Sequence, residues 1–317
     1  LEPGTNSGLQ YFYNATKGTN MSFSSYRPGF VLRSFGSGSK ELIRVFHVSS
    51  VDGSEKTEAP LQICNFYSIE KNTELNLCES FISGTGNCHN VISRWVLQAG
   101  SMVRKYSFGS LNPCSEDGLV LNHELVEQFE KSEYNSYPFY FAKGALRFSG
   151  KIINNLNISL LGELASCNIN SITTLSDCLC VENNIIVEHA VENCRSWQLF
   201  KGVYDGESKA VFDSCVVVKK DAQKSNSVQK NNNILLSDKA SVESNPQLEI
   251  FADDVECAHG STSGQIDNSA LFYLRSRGLS REKAESMLLG AFLNDVVEMV
   301  VHKEVQKLVS EHIASQF

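Results

Sequence analysis

Short apolar runs rich in β-branched residues recur between about residue 41 and residue 263, and polar turns separate them. Runs of this kind, bounded by polar residues, are typical of β-strands. They predict that most of the chain is an all-β region. The clearest of them are Ile43–Val48, Leu61–Phe66, Trp95–Gln98, Ile185–His189, Val211–Val218 and Leu248–Phe251.

The predicted strands have irregular spacing and lack the Asn-Gly turns of tight hairpins, which favours a solenoid whose coils stack on their neighbours. A weak self-similarity of apolar run, polar turn and second apolar run points the same way. Asn231–Asn233 is interpreted as a solenoid corner or a surface loop. A β-sandwich explains the strand pattern nearly as well, so the pattern alone leaves both folds open. The self-similar segments are Tyr67–Leu77, Trp95–Arg104 and Leu235–Val242.

The periodicity becomes helical at about residue 264. Asp267 is a predicted N-cap for a first helix that ends at Gly278, and Ser280 opens a second helix. Apolar residues then recur at intervals of three and four from Ala284 to Val300, and a third short helix follows. These amphipathic helices either pack on each other and on the last β-strand, or form a docking surface for another subunit.

Composition excludes several functions. The chain has 317 residues and 42% hydrophobic content, enough for a large buried core. Its formal net charge of −8 disfavours nucleic-acid binding, which requires concentrated Lys and Arg. Its 10 cysteines lack the paired spacing of a zinc ribbon or a disulfide framework, which indicates a reducing compartment. No segment is long and apolar enough to cross a membrane; the first residue is Leu1, so a targeting segment before it is compatible with the sequence.

Cys257 and His259 are two residues apart, just before Gly260. Alternate side chains of a strand leave the backbone on the same face, so both groups can reach one metal ion or one cluster. Thiolate and imidazole are ligands of iron–sulfur and zinc sites. Two ligands do not complete a coordination shell, and the alternative for this pair is a buried cysteine beside a hydrogen-bonded histidine.

The sequence offers three enzymatic alternatives, each of them disfavoured. A Cys–His hydrolase is disfavoured because the two Cβ atoms on one strand face start roughly 6 to 7 Å apart. The acidic residues Asp253, Asp254 and Glu256 could bind calcium or act on a polysaccharide, but solvated edge charges are the favoured interpretation. The segment Gly36–Lys40 has the wrong order and spacing for a phosphate-binding loop, so ATP hydrolysis by this chain is not expected.

The region from about residue 189 to residue 300 resembles the SufB/SufD family, the scaffold subunits of the SUF iron–sulfur cluster assembly machine. This resemblance implies a right-handed parallel β-helix followed by a small C-terminal helical domain. The chain is therefore divided into an irregular initial segment (1–40), a β-helix core (41–263) and a helical domain (264–317). The resemblance rests on Asn193–Lys201, Lys209–Phe212, Asn231–Leu236, Ala252–Gly260 and Ala270–Gly278, of which the last favours the SufD branch over the SufB branch.

In this family the histidine of the Cys-x-His motif is implicated in cluster assembly at the interface between SufD-type and SufB-type subunits. The resemblance therefore implies that His259, with Cys257 second, binds a transient iron–sulfur cluster shared with SufB, and that the isolated chain holds no stable cofactor. It also implies a non-catalytic scaffold in the bacterial cytoplasm, with the plastid stroma as the alternative.

The expected partners are SufB, through the last β-strands, and the ABC-type ATPase SufC, through the C-terminal helices. A homodimer is the alternative assembly for the isolated chain. A SufB-like cluster-carrying subunit and an independent β-helical carbohydrate-active enzyme remain as alternative functions. The predicted partner-binding residues are Phe272, Tyr273, Leu274, Arg275, Arg277, Met287 and Phe292.

Overall fold

The described part of the chain is a β-solenoid of about 6 turns followed by three helices, which is the fold class predicted from the sequence. From the third strand onward, consecutive strands alternate between two nine-stranded sheets, so each turn adds one strand to each sheet. The computed structural model describes residues 9–14, 21–26, 29–34, 42–49, 61–83, 89–109, 118–142 and 149–317.

We call the first of these sheets the front sheet. Its strands are parallel, with the exception of the antiparallel first pair. In spatial order they are β1 (Leu9–Asn14), β4 (Leu42–Ser49), β6 (Glu74–Ser83), β8 (Met102–Gly109), β10 (Glu133–Ala142), β12 (Ser166–Leu175), β14 (Arg195–Tyr204), β16 (Ser225–Leu235) and β18 (Val255–Gly264).

The back sheet faces the front sheet across the solenoid interior. It too begins with one antiparallel pair and continues with parallel strands. In spatial order its strands are β2 (Met21–Tyr26), β3 (Gly29–Ser34), β5 (Leu61–Ile69), β7 (His89–Leu97), β9 (Gly118–Gln128), β11 (Ser149–Leu160), β13 (Cys178–His189), β15 (Lys209–Val218) and β17 (Ser241–Ile250).

The initial segment is more regular than its Gly- and Ser-rich sequence indicates. Three strands, β1 to β3, begin within residues 1–40, which the sequence had indicated to be irregular. Strand β1 forms because it pairs antiparallel with β4, a strand that lies about 30 residues later and that local sequence does not indicate as a partner. The segment Gly36–Lys40 lies outside the described residues.

One corner of the solenoid repeats a left-handed backbone conformation in successive turns. In the front strands from β6 to β16, a residue one or two positions before the strand has a positive φ, including Asn193 (61°) and Leu164 (61°). Asn231–Asn233 is not such a corner. These residues lie inside β16, where Asn231 and Asn233 are buried and their amides donate to Ser244 Oγ (3.0 Å) and to the Thr262 carbonyl (3.3 Å). Hydrogen bonds in the interior satisfy these two amides, so the prediction of a solenoid corner or a surface loop at Asn231–Asn233 was wrong.

Of the three helices, the second and third pack on the outer side of the front sheet, and the first packs on the second. They are α1 (Asn268–Ser276), α2 (Arg281–Met299) and α3 (Lys303–Gln316). The two predicted caps are present: Asp267 accepts from the Ser269 amide (2.8 Å), and Ser280 accepts from the Lys283 amide (3.3 Å). Among the described residues, no helix combines the length and apolar character needed to cross a membrane.

Helix α2 is fixed to the sheet by polar contacts as well as by packing. The buried Lys201 of β14 donates from Nζ to the Phe292 carbonyl (2.6 Å) and pairs with Asp295. Tyr137 of β10 donates to the Met299 carbonyl (3.0 Å). Apolar residues of α2 and α3 pack around these contacts, among them Leu289, Leu293, Val296, Val297, Val305, Val309 and Ile313.

Candidate metal centre at the open end of the solenoid

In the described part of the chain, no further coil lies above the last coil of the solenoid. Strands β17 and β18 are the outermost strands of the back and front sheets, and most of their residues are half-buried or exposed. Ile250 is 42% exposed and Phe251 is 61% exposed. Edge strands offer unpaired backbone groups to another chain, and exposed apolar side chains add to that capacity. This end of the solenoid is therefore suited to contact with a second protein.

Both candidate ligands lie on β18. The Cα partners of Cys257 and His259 on β16 are Ser227 and Gln229, whose side chains are fully buried in the solenoid interior. Neighbouring residues in a parallel pair point the same way, so Cys257 and His259 both lie on the interior face of the last coil. Cys257 is half-buried against the core, whereas His259 is exposed.

A hydrogen-bonded column of polar side chains lies beneath Cys257. His189 Nε2 is 2.8 Å from Ser196 Oγ, and Ser196 Oγ is 2.8 Å from Ser227 Oγ, which occupies the rung directly below Cys257. All three side chains are buried. Burial lowers the pKa of His189 to about 4, so this imidazole is neutral near pH 7.

A second column lies beneath His259. Gln229 Nε2 donates to Ser214 Oγ (2.8 Å), and Ser214 Oγ donates to Gln198 Oε1 (2.8 Å). Gln198, Gln229 and His259 occupy successive rungs of the front sheet, whereas Ser214 reaches across from β15. The two candidate ligands therefore form the outer ends of two ordered interior columns.

Burial raises the pKa of the Cys257 thiol, and the backbone amide of Ser227 opposes this change with a smaller effect. Cys257 is therefore a thiol near pH 7 unless a metal ion displaces its proton. Within the described ranges, no group of three or more His, Cys, Asp or Glu side chains is arranged to hold a metal ion. Among the described residues, Cys257 and His259 therefore form at most part of a coordination shell.

The acidic residues next to the motif lie at the surface. Asp253, Asp254 and Glu256 are exposed, and Glu256 accepts from the Asn226 amide (3.0 Å) on the neighbouring strand. Glu256 also points away from the interior face that carries Cys257, because it is one residue away along the strand. The carboxylates therefore form no concave site with the two candidate ligands.

The predicted partner-binding residues of the helices divide into two groups. Phe272 (74%), Tyr273 (57%) and Met287 (49%) are strongly exposed. Arg275 and Arg277 are exposed as well, and the Arg277 guanidinium carbon lies 5.3 Å from the Tyr273 ring centroid. By contrast, Leu274 is half-buried, and Phe292 packs on the core with Lys201 Nζ 4.6 Å from its ring centroid.

A groove of about 440 Å³ lies beside this exposed surface, between the first two helices and the end of β16. Its lining mixes apolar side chains with polar and charged ones, and polar atoms make up more of its surface than apolar atoms. The residues that line it include Leu236, Ile266, Leu271, Leu289, Glu282 and Glu285.

The sequence analysis did not identify a buried charged cluster in the middle of the solenoid. Lys105 Nζ lies 3.4 Å from Glu79 Oε2 and also pairs with Glu124. Tyr134 donates to Glu124 Oε2 (3.3 Å), and burial lowers the pKa of Lys105 while Glu79 opposes that change. A cavity of about 60 Å³, lined mainly by apolar atoms, adjoins Lys105 and Glu124. The sequence feature that could have revealed this cluster is the presence of charged residues at interior-facing positions of β6, β8 and β9.

Most of the chain is similar in sequence to one family of known proteins. The family model described as "SUF system FeS cluster assembly, SufBD core domain" matches residues 56–292. The Escherichia coli iron–sulfur cluster assembly protein SufD is 28% identical over 279 residues, which cover 87% of this chain and 63% of the E. coli protein. The chloroplastic protein ABCI7 of Arabidopsis thaliana is 31% identical over 258 residues, or 78% of this chain and 51% of that protein. The chain thus spans between about half and two thirds of the length of these relatives.

Proposed function

Because the chain belongs to the SufBD family of the SUF iron–sulfur cluster assembly system, we propose that it acts as a non-catalytic scaffold subunit. Its open end would pair with SufB, the homologous subunit, and the nascent cluster would be assembled between the two. The cluster is cargo in this scheme, and the isolated chain keeps no stable cofactor. Free cysteines and the chloroplastic relative favour a reducing location, the bacterial cytoplasm first and the plastid stroma second.

One observation carries the proposal: His259 and Cys257 lie on the interior face of the last coil, whose strands β17 and β18 are the edge strands of the two sheets. Imidazole and thiolate are ligands of iron in iron–sulfur clusters. Two ligands do not complete a coordination shell, so the partner would supply the others. A second solenoid placed edge to edge against β17 and β18 would supply backbone pairing and could bring its own ligands to the same point.

The exposed surface of α1 and α2 is the proposed contact for the ATPase SufC. Closure of two SufC subunits on ATP would move this subunit against SufB and open or close the site. Movement of the helices would be transmitted to the candidate site through direct contacts: Lys201 links α2 to β14, and β14 pairs with β16, which pairs with β18. Hydrogen-bonded parallel strands move together more readily than they separate.

We test the site by co-expressing the chain with SufB and SufC of the same organism and measuring iron and sulfide in the purified complex. His259→Ala should leave the complex intact and abolish cluster maturation, and Cys257→Ala should reduce maturation less. Ala258→Ser, an exposed change between the two residues on the opposite face of β18, is the matched control. Normal maturation by His259→Ala would remove the site assignment.

The same co-expression tests the helix surface. Phe272→Glu should lower the amount of SufC that co-purifies by at least about tenfold, as expected for a charge placed in an apolar contact. Pairing with SufB should remain. Ile186→Glu, which changes a residue 48% exposed on the back sheet, is the control for a general effect of an added charge. Unchanged SufC recovery with Phe272→Glu would contradict this role for α1.

A further inference from the structure

Gln229 lies on the rung directly below His259 in the solenoid interior. The two residues are Cα partners in the parallel pair of β16 and β18. The Gln229 side chain is fully buried, whereas His259 is exposed at the open end. Gln229 is therefore the buried polar group nearest in register to the candidate histidine ligand.

The hydrogen bonds of Gln229 fix the orientation of its amide. Its Nε2 atom lies 2.8 Å from Ser214 Oγ and 3.2 Å from the Ser214 carbonyl oxygen. A carbonyl oxygen can only accept, so the atom that faces Ser214 must be the NH₂ group. The Oε1 atom of Gln229 is thereby turned away from Ser214.

This Oε1 atom is a buried acceptor without a hydrogen-bond partner among the described residues. A buried carbonyl oxygen without a donor is unfavourable, and such atoms are rare in native proteins. Two groups lie on the adjacent rungs. One is the amide of Gln198, whose Nε2 is also without a partner in the described part of the chain; the other is the ring of His259.

His259 is the neighbour that remains movable. Gln198 is buried and held through Ser214, whereas His259 is exposed and has no described hydrogen-bond partner that would fix its ring. A neutral imidazole carries one N–H donor and one lone pair. If the N–H faces the Gln229 oxygen, the lone pair of the other nitrogen is directed away from the interior.

We propose that Gln229 is a positioning residue for the metal centre: its Oε1 accepts the N–H of His259 and so selects the tautomer that presents a free nitrogen at the open end. Metal-bound histidines commonly donate their second nitrogen to an oxygen of this kind, which sets ring orientation and ligand basicity. The inference rests on the proposed function because it takes His259 as a ligand. Ser214 contributes indirectly, since it holds the Gln229 amide in place.

The experiment reads the tautomer directly in the metal-free chain. The protein is labelled with ¹⁵N-histidine, the imidazole nitrogen signals are recorded, and His259→Ala identifies the signals of His259. We expect one dominant tautomer in the unaltered protein. Gln229→Met, which keeps the length of the side chain but cannot accept, should convert the His259 signals to the mixture of tautomers found for a free imidazole.

Gln128→Met is the matched control, because it removes another fully buried glutamine amide, one whose Nε2 donates to the Ser166 carbonyl outside this column. It should leave the His259 tautomer unchanged. If Gln229→Met does not fold, Ser214→Ala serves instead, since it loosens Gln229 and should weaken the tautomer preference. The same tautomer in the unaltered and altered proteins would overturn the proposal, as would a change produced equally by Gln128→Met.

Cluster maturation separates this inference from the proposed function. In the complex with SufB and SufC, Gln229→Met should reduce iron retention by about 10- to 100-fold, the usual effect of losing a group that orients a metal ligand. If His259→Ala matures clusters normally, the proposed site fails whatever the tautomer of His259. If His259→Ala abolishes maturation and Gln229→Met changes neither tautomer nor iron content, the positioning role alone fails.

Discussion

At the scale of single residues, the solenoid interior holds polar groups that a compact core usually excludes. His189 is fully buried, with Nε2 on Ser196 and Nδ1 without a partner among the described residues. Its ring is kept neutral by the cost of burying a charge. The column beneath Cys257 therefore depends on a histidine that resists protonation.

Stability should fall when the pH is lowered from about 6.5 towards 4. The unfolded chain protonates His189 near pH 6.5, whereas the folded chain, with a pKa of about 4, does not, so protons favour unfolding in this range. At about pH 5 the loss should be about 2 kcal/mol relative to neutral pH. Urea unfolding of the protein and of His189→Gln at both pH values measures it; equal pH dependence in the two would contradict the assignment.

Leu164 adopts a left-handed conformation that is unfavourable for its side chain. Its φ is 61° at a corner where the next coil has Asn193, and Leu164 is 45% exposed. Leu164→Asn should stabilise the protein by about 0.5–1 kcal/mol because asparagine tolerates this conformation better. Chemical denaturation provides the measurement. Leu161→Asn, at an exposed neighbour without a positive φ, should give no such gain.

At the scale of elements, helix α2 depends on one buried lysine. The Lys201 side chain is 6% exposed and its ammonium group donates to the Phe292 carbonyl, whereas the paired Asp295 side chain is 65% exposed. Because Asp295 is hydrated with or without Lys201, the main loss on removing Lys201 is its contact with the carbonyl and the ring of Phe292.

Lys201→Met should therefore loosen α2 while the solenoid stays folded. We expect a loss of about 1–3 kcal/mol, confined mainly to the helix. Hydrogen exchange of the α2 amides should become faster relative to the amides of β14. Lys283→Met, at an exposed position of the same helix, is the control. Equal protection of α2 in both variants would show that apolar packing alone holds the helix.

The strands that the sequence analysis missed lie mainly in the front sheet. In β16, Ser227, Gln229 and Asn231 point into the solenoid, so the buried face of the strand is polar. In β10, residues of both faces are buried because helices cover the outside. Either effect removes the alternation of apolar and polar residues that identifies a strand. The helix caps Asp267 and Ser280 were predictable because a cap acts within one turn of the chain.

At the scale of the whole molecule, one corner of the solenoid is more exposed on the last coil than on an inner coil. Phe129 and Phe251 follow matching strand ends, but Phe129 is 37% exposed whereas Phe251, on the last coil, is 61% exposed. An inner coil is partly covered by the coil above it. The last coil has no such cover within the described residues, and the proposed partner would supply it.

Phe251→Glu should therefore weaken pairing with SufB by at least about tenfold, because it places a charge in the proposed apolar contact. Phe129→Glu, the same change at the matching corner of an inner coil, should leave pairing intact. Titration of one purified subunit with the other gives both affinities. Equal affinity for the two variants would mean that SufB does not contact this end.

Local sequence determined the element types of the clearest runs, the two helix caps and the shared face of Cys257 and His259, because strand and helix periods are properties of neighbouring residues. Only the tertiary structure decided that β18 is the last strand of its sheet and that Gln229 lies beneath His259. It also decided that Lys105 meets Glu79 and Glu124 in the interior. These contacts join residues from different strands, and their register depends on how successive coils stack rather than on local backbone preference.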